Sequence, residues 1–592
     1  MTNADIASTL EQIADLLEYL GENPFRCRAY RAAARTVSGV TEPLAELRRD
    51  GGPGLAGLEG IGADLAGRIA MLIETGRLPL LDELKAQVPA AAADLLRVPG
   101  LGPKKARLLI DQLGIDSLES LEQACRDGRV AAVKGFGEKT QHAILRKVAF
   151  ARDPQRRRLL WKDADDIARD LIEWMRRCPQ ADRVEGAGSW RRGRDTVGCI
   201  RMVVASQSPA AVIDHGIAWP GAAAVLERVE SATRLRGPKD TEIAIVVVTD
   251  VAFGAAMVVH TGSRAHTDRL RECAEERRLV FDARGVVPIG GEERPATSPP
   301  SRSSATEEDV YANLGLAWIP PELREGRDEI LRAEDRRLPA LVRLEDIRGD
   351  LHMHTTESDG DAPLAEMVRV AISRGLEYIA ITDHGPRVSM ANGLGPERLL
   401  AQWEEIDRLN ASLAAAGPPP IVVLKGVEVD MLEQGGLDLP DDLLSRADWV
   451  VASLHYGQQQ PGTQITARII EAMEHPAVGV IGHPTGRLIN RRPPYEVDMD
   501  AVIAAAARTG TFLEINANPW RLDLHEIHAA AARDAGVGLV ISTDAHSTAG
   551  LDLMRCGVLQ ARRAGCSAAD VVNTRSLREL RALMKRDGSR RG

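Results

Sequence analysis

Asp350–Gly385 reads DLHMHTTESDGDAPLAEMVRVAISRGLEYIAITDHG and carries His352, His354, Asp359, Asp383 and His384. Further on come Glu428 (GVEVD), His455 (ASLHYG), His483 (IGHPTGR), and Asp544 with His546 (STDAHS). Nine of the 13 histidines fall between 352 and 546, and most of these residues end a short apolar run that reads as a strand. His352 and His354 are two apart, so on a strand both point to one side, and Asp544 with His546 repeats the spacing. Imidazoles bind Zn, Mn or Fe, and a carboxylate can bridge two ions. Any one of these histidines alone reads first as a hydrogen-bonded core residue. Their number and their shared context at strand ends carry the metal reading.

Outward from this stretch, Ile347 to about Leu583 alternates apolar strands (YIAITDH, IVVLKGVEVD, WVVASLH, VGVIGH, TFLEINA, GLVISTDAH) with helical patterns. Repeated βα units imply a parallel sheet, and polar residues at strand C-termini imply a barrel with its site on that face. Arg487 (HPTGR) and Arg521 (NPWRLDL) stand where they could hold a substrate phosphate, or form ion pairs. Asp383 is expected to orient a ligand and Asn516 to line the wall. His475, His525 and His528 match no ligand position and read as surface or helix-terminal.

The first 150 residues are different. Ile6, Leu10, Ile13, Leu16 and Leu17 follow helical spacing, and RCRAYRAAARTV offers Arg26, Arg28, Arg31 and Arg35 as a solvated basic face or a DNA contact. LEGIGADLAGRI (58–69), VPGLGPKKARLLI (98–110) and VKGFGEKTQHAIL (133–145) each place two glycines around one apolar residue before a helix. The pairs are Gly60/Gly62, Gly100/Gly102 and Gly135/Gly137. Such a turn presents backbone N–H groups at a helix N-terminus and grips phosphate without reading base sequence. Lys104, Lys105 and Lys139 could add phosphate contacts.

Composition sets the outer bounds. A 592-residue chain, 44% apolar and 27% charged, accommodates several domains. A net charge of −10 argues against a wholly basic nucleic-acid binder but not against local basic patches. Seven scattered cysteines without a CxxC, and no signal-like N-terminus, point to reduced thiols and a cytosolic protein.

Between these regions, GSWRRG (188–193), the strand-like CIRMVVAS and TEIAIVVVTD, FGAA (253–256), TGS (261–263) and YANLGLAWIPPELREG (311–326) follow in order. With the hairpins before and the histidine-rich region after, the chain resembles a bacterial family X DNA polymerase with a C-terminal PHP (polymerase and histidinol phosphatase) domain. The resemblance implies a helical N-terminal domain (1–85), fingers (86–150), a nucleotidyltransferase palm (151–232), a thumb (233–325) with a flexible segment at 291–309, a linker (326–346), a PHP domain (347–583) as a distorted seven-stranded barrel, and a tail (584–592). It also implies three divalent ions (Mn²⁺, Zn²⁺ or Fe). One would be held by His352, His354, Glu428 and Asp544. A second would be shared by Glu428 with His455 and His483, and a third held by Asp359, His384 and His546. Glu428 and Asp544 would hold the activated water.

The palm departs from the family. A nucleotidyl-transfer site needs carboxylates on adjacent strands to hold two divalent ions. The family carries GDIDILV after the GSxRRG loop; here GCIRMVV places Cys199 and Arg201 at the two acid positions, and the third falls at Ala244. Glu242 lies on the same strand face, two residues earlier. Ser189 and Arg192 remain where the family contacts the triphosphate. The expectation is a lost polymerase. Activity would rest in the PHP site, as a 3′→5′ exonuclease also acting at abasic sites, brought to gapped, nicked or 3′-ended DNA by the hairpins. Gap-filling polymerisation, a silent DNA-end scaffold and a small-molecule phosphatase are the alternatives.

Overall fold

The computed structural model describes residues 3–39, 44, 55, 58, 60–96, 98, 101–152, 158–289, 303–415, 417 and 421–584. The chain divides into two compact units, Met1–Arg156 with Arg491–Pro493, and Arg157–Asn490 with Pro494–Gly592.

The first unit is helical. Helix Asn3–Leu20 buries Ile6, Leu10, Ile13 and Leu17 against helix Pro24–Gly39. The three hairpins have two features in common. Ile61, Leu101 and Phe136, the apolar residues between the glycines, are buried, and each donates its backbone N–H to the carbonyl three residues back at 3.1, 3.0 and 3.1 Å. Gly60, Gly135 and Gly137 have φ of 75, 97 and 67°, which favours glycine. Gly62 and Gly102 are the N-caps of helices Ala63–Thr75 and Pro103–Leu113, with no side-chain cap. Gly137 opens helix Gly137–Arg152, which carries Lys139. Gly100 lies outside the described residues. Of the basic face, Arg31 is bound to Asp15 and Glu18 at 2.8 and 2.5 Å, and Arg28 lies over the Phe25 ring.

The second unit begins with a five-stranded sheet: β1 (Arg183–Ala187), β2 (Cys199–Ala205), β3 (Ala224–Val229), β4 (Ala232–Arg236) and β5 (Glu242–Val248), in the order β1-β2-β5-β4-β3. The segment before GSWRRG is thus a strand. On β5, Ile243, Ile245 and Val247 pack against helix Trp161–Arg176, while Glu242 and Ala244 face the other side. The palm–thumb boundary expected at 232/233 falls inside β4, which β5 needs as its antiparallel neighbour.

The thumb follows with helices Phe253–Thr261, Arg264–Glu276 and Glu307–Asn313. Of the segment expected to be flexible, 291–302 lies outside the described residues. Residues 303–309 are structured: Ser304 and Glu307 are buried, and Thr306 caps the last helix. The polar composition hides this because Glu307 is buried as an ion-pair partner. Helix Glu329–Glu334, inside the expected linker, places Ala333 in the thumb core.

Seven parallel strands then build the barrel: β6 (Gly349–Asp350), β7 (Tyr378–Ile381), β8 (Val422–Asp430), β9 (Trp449–Ser453), β10 (Val480–Ile481), β11 (Phe512–Asn516) and β12 (Leu539–Ser542), paired in sequential order. A parallel bridge between Met353 and Ala545 nearly closes the ring. Along each strand alternate residues go to two cores. Ile379, Ile381, Val427 and Ile515 meet the outer helices, while Tyr378, Ala380, Leu424, Trp449 and Phe512 fill the interior. Glu428 and Glu514 share the inward parity of Leu424 and Phe512, four and two residues closer to the C-terminal mouth. No described helix is long and apolar enough to cross a membrane.

Candidate metal centre

The seam of the barrel brings the two spaced pairs together. The Asp544 N–H donates to the His352 carbonyl and the His354 N–H to the Ala545 carbonyl, both at 2.9 Å. His352, His354, Asp544 and His546 therefore lie side by side across two adjoining backbones. Asp544 and His483 have φ of 53 and 29°. That left-handed backbone costs a non-glycine residue about 1–3 kcal/mol and persists where the surroundings fix it.

Glu428 sits at the centre. Its Oε1 lies 3.5 Å from His352 Nε2, 3.5 Å from His455 Nε2 and 3.2 Å from His483 Nε2. Its Oε2 lies 2.7 Å from His384 Nδ1 and 3.8 Å from His354 Nε2. Asp544 Oδ1 approaches His354 Nε2 and His352 Nε2 at 3.2 and 3.6 Å. Asp359 Oδ1 lies 3.6 Å from His384 Nε2 and 3.5 Å from His546 Nε2. Three groups of ligand atoms converge: His354, Asp359, His384 and His546; His352, His354 and Asp544; His384, Glu428 and His455. Eight of the nine expected ligands stand in these groups, with His354 and His384 in two each, and His483 joins them through Glu428 at 3.2 Å.

The donor set fits bound cations. His352 Nε2, both ring nitrogens of His354, His384 Nδ1, both Glu428 oxygens and His483 Nδ1 are buried with no hydrogen-bond partner. Buried polar atoms are nearly always paired, so a converging group of orphans signals a ligand. The charge balance agrees. Burial opposes ionisation of Glu428, yet His455, His384 and His352 hold it well below the usual carboxylate range. Asp544 is held low against burial by His352, His354 and His546. Burial, with His546 and His384 alongside, pushes His354 down to about 4, whereas the surrounding carboxylates raise His352, His384 and His546 against burial, with protons that a bound cation would displace. A deprotonated imidazole is what a metal takes.

A supporting layer fixes these ligands. Glu514 accepts at 2.7 Å from His352 Nδ1 and at 2.6 Å from the His483 N–H. Asn516 donates to Glu514 Oε2 and Asp544 Oδ2, both at 3.1 Å. Asp430 accepts the His455 N–H at 2.9 Å. Asp383 accepts from the Thr355 N–H, the Thr355 hydroxyl, Ser358 and Gln402, and so shapes the loop between His354 and Asp359. Sequence reading missed Glu514 and Asp430. The available signal was an acid inside an apolar strand, TFLEINA and GVEVD, where a charge needs a partner. His475 and His525 cap helix ends, and His528 packs half-buried away from the ligands.

The two arginines separate. Arg521 Nε lies 3.6 Å from Asp544 Oδ2, on the site wall. Arg487 is engaged behind that wall: it donates to the Arg521 and Leu522 carbonyls, each at 2.7 Å, and lies 3.3 Å from Asp195 Oδ2. The expectation that Arg487 holds a substrate phosphate is corrected, because its donors are directed to backbone.

In the palm, β2 and β5 run parallel with Cys199 opposite Glu242 and Arg201 opposite Ala244. Burial raises the Cys199 thiol, and burial with the nearby Arg201 pushes His260 down to about 4. Glu242 is bound to Arg234 at 3.0 Å. Arg192, expected at a triphosphate, donates to Glu325 at 3.0 Å and to the Thr261 carbonyl at 2.6 Å. Ser189 accepts from Arg158 at 3.3 Å, and Arg191 clasps Glu307 at 2.6 and 2.9 Å.

Family models match residues 1–78 (helix-hairpin-helix domain), 92–148 (SAM-like helix-hairpin-helix tandem), 256–325 (DNA polymerase beta thumb) and 350–518 (PHP domain). The helix-hairpin-helix and thumb matches indicate DNA binding, and PHP domains are metal-dependent. The DNA polymerase/3′-5′ exonuclease PolX of Bacillus subtilis is 37% identical over 590 residues, covering 99% of this chain and 100% of that protein. A probable phosphatase of Thermoanaerobacter sp. strain X514 is 33% identical over 239 residues, 38% of this chain and 89% of its own. Another, from Caldanaerobacter subterraneus, is 32% identical over 208 residues, 33% and 75%. With its hairpins, thumb and PHP barrel in the same order along a full-length match, the chain belongs to the PolX family.

Proposed function

We propose that the protein is a metal-dependent 3′→5′ DNA exonuclease serving base-excision repair through its PHP barrel, that it also acts at abasic sites, and that its palm no longer polymerises. The supporting observation is the convergence of nine ligand-type side chains, six of which carry buried, unpartnered atoms. His352, His354, Glu428 and Asp544 would hold one Mn²⁺ or Zn²⁺ (or Fe), Glu428 with His455 and His483 a second, and Asp359, His384 and His546 a third. Such ions acidify a water, neutralise phosphate oxygens and stabilise a leaving alkoxide. Glu514 and Asn516 keep His352 and Asp544 aimed at the centre. Arg521, on the wall, binds a non-bridging phosphate oxygen of the terminal nucleotide. In the palm, Arg201 occupies an acid position and repels the cations that nucleotidyl transfer requires. The hairpins hold the DNA backbone, with nicked, gapped or 3′-ended substrates as the targets and the bacterial cytoplasm as the setting.

The test compares wild type with His352→Ala on labelled gapped DNA, with Mn²⁺, with and without dNTPs. Shortening by wild type alone, without extension, is expected. Extension by dNTPs would overturn the lost polymerase, and equal shortening by His352→Ala would place the nuclease elsewhere.

A further inference from the structure

The palm packs into the wall of the metal site. Its core includes Ile489, Leu522 and Cys556 from the barrel, with Trp520, Leu553 and Leu559 against them. The polar route runs beside it. Asp195, two residues past the GSWRRG loop, lies 3.3 Å from Arg487 Nη1. Arg487 Nε and Nη2 hold the Arg521 and Leu522 carbonyls at 2.7 Å. Leu522 has φ of 42°, so its turn sits in a conformation that needs outside support. The Arg521 side chain leaves that turn toward Asp544. Asn518 takes the N–H groups of Arg521 and Leu522 at 2.8 and 2.9 Å and closes the turn from within.

We infer that Asp195 and Arg487 are positioning residues for the metal site, and that the former nucleotide-binding loop now serves as a strut holding Arg521 in place to receive a phosphate group. The role of Arg521 rests on the nuclease reading above; the strut itself does not. The diversion of the loop's own arginines agrees: Arg192 and Arg191 are bound to Glu325 and Glu307. The Arg192 carbonyl accepts from Arg563 of the barrel at 3.0 Å. Asp195 supplies the acceptor oxygen that keeps Arg487 extended between palm and turn. Without it, Arg487 swings toward water and the turn loses two acceptor contacts.

Hydrogen–deuterium exchange on the full chain reads the strut directly. Asp195→Ala should speed exchange about tenfold across residues 518–524, an opening shift of about 1.4 kcal/mol, and leave β12 (Leu539–Ser542) unchanged. Asp195→Asn keeps an acceptor and should stay near wild type. Lys239→Ala, which breaks an exposed palm ion pair with Asp163, is the control for general loosening. On the metal-loaded protein, calorimetry with inorganic phosphate should show about threefold weaker binding in Asp195→Ala. The double variant with Arg521→Ala should bind no worse than Arg521→Ala alone, since the two act in series. With DNA, the loss should appear in KM and leave kcat within about a factor of two. Unchanged exchange, or additive losses in the double variant, would overturn the strut. DNA left uncut by wild type would overturn the nuclease reading, while exchange and phosphate binding still decide the strut.

Discussion

The barrel mouth and the palm cleft both lie where strands carry polar residues toward a candidate site, yet they treat charge in opposite ways. In the barrel, Glu428 faces His352, His354, His384, His455 and His483, and several of the facing atoms have no hydrogen-bond partner. In the palm, Arg191, Arg192, Arg234 and Glu242 have each found an opposite charge inside the chain. Polar groups kept apart from partners at a cost of about 1–3 kcal/mol each are held for something that arrives; polar groups paired off are doing structural duty. The palm sheet is intact, and these charged groups are paired within the chain.

The largest effect tests the barrel half of this contrast. His352→Ala should lower DNA cleavage by about a thousandfold or more, since the ions it helps to hold carry most of the rate. Gel analysis of labelled DNA measures this; residual activity within tenfold of wild type would break the comparison. Next, Glu514→Gln leaves every ligand in place but weakens the orientation of His352. Metal affinity should fall by about 10–100-fold, measured by competition with a fluorescent chelator.

The palm half is sharpened by Glu307. Burial alone would raise its pKa, but Arg324 and Arg191 hold it at about 2. Because the folded value lies below the ordinary carboxylate value, the stabilisation is full above about pH 4.5 and is lost as pH falls toward 2, about 3 kcal/mol in all. Glu307→Gln should lower stability at pH 7 and flatten its dependence between pH 4.5 and 2, read from urea midpoints. The smallest effect concerns the hairpins. Lys104→Ala with Lys105→Ala should reduce the slope of log affinity against log salt by about 2 and weaken all DNA sequences alike, measured by fluorescence anisotropy.

Much of this was legible along the chain. Eight of the nine candidate ligands sit at or just past strand ends in short motifs, so local context exposes them, and Asp359 follows in the loop after His354. The three hairpins repeat one pattern, and the structure gives each the same buried apolar residue and turn bond. The supports were harder to read. Glu514 meets His352 across 162 residues and Arg487 meets Asp195 across 292, and nothing local marks either pairing. Arg487 also sits in a motif that reads as phosphate-binding, and only the fold reveals that backbone carbonyls take its donors. Glu307 lay in a run of acids that reads as solvated, and Arg324, which buries it, is 17 residues away.

The barrel ring is joined at its seam by a single parallel bridge between Met353 and Ala545, and candidate metal ligands flank it on both strands. A cation shared by His352, His354 and Asp544 would therefore act as a clasp as well as a reagent. Binding free energy adds to folding free energy when only the native state binds. The melting temperature of the PHP barrel thus becomes a gauge of its cargo, rising with each equivalent of metal and falling with chelator, in the absence of any DNA.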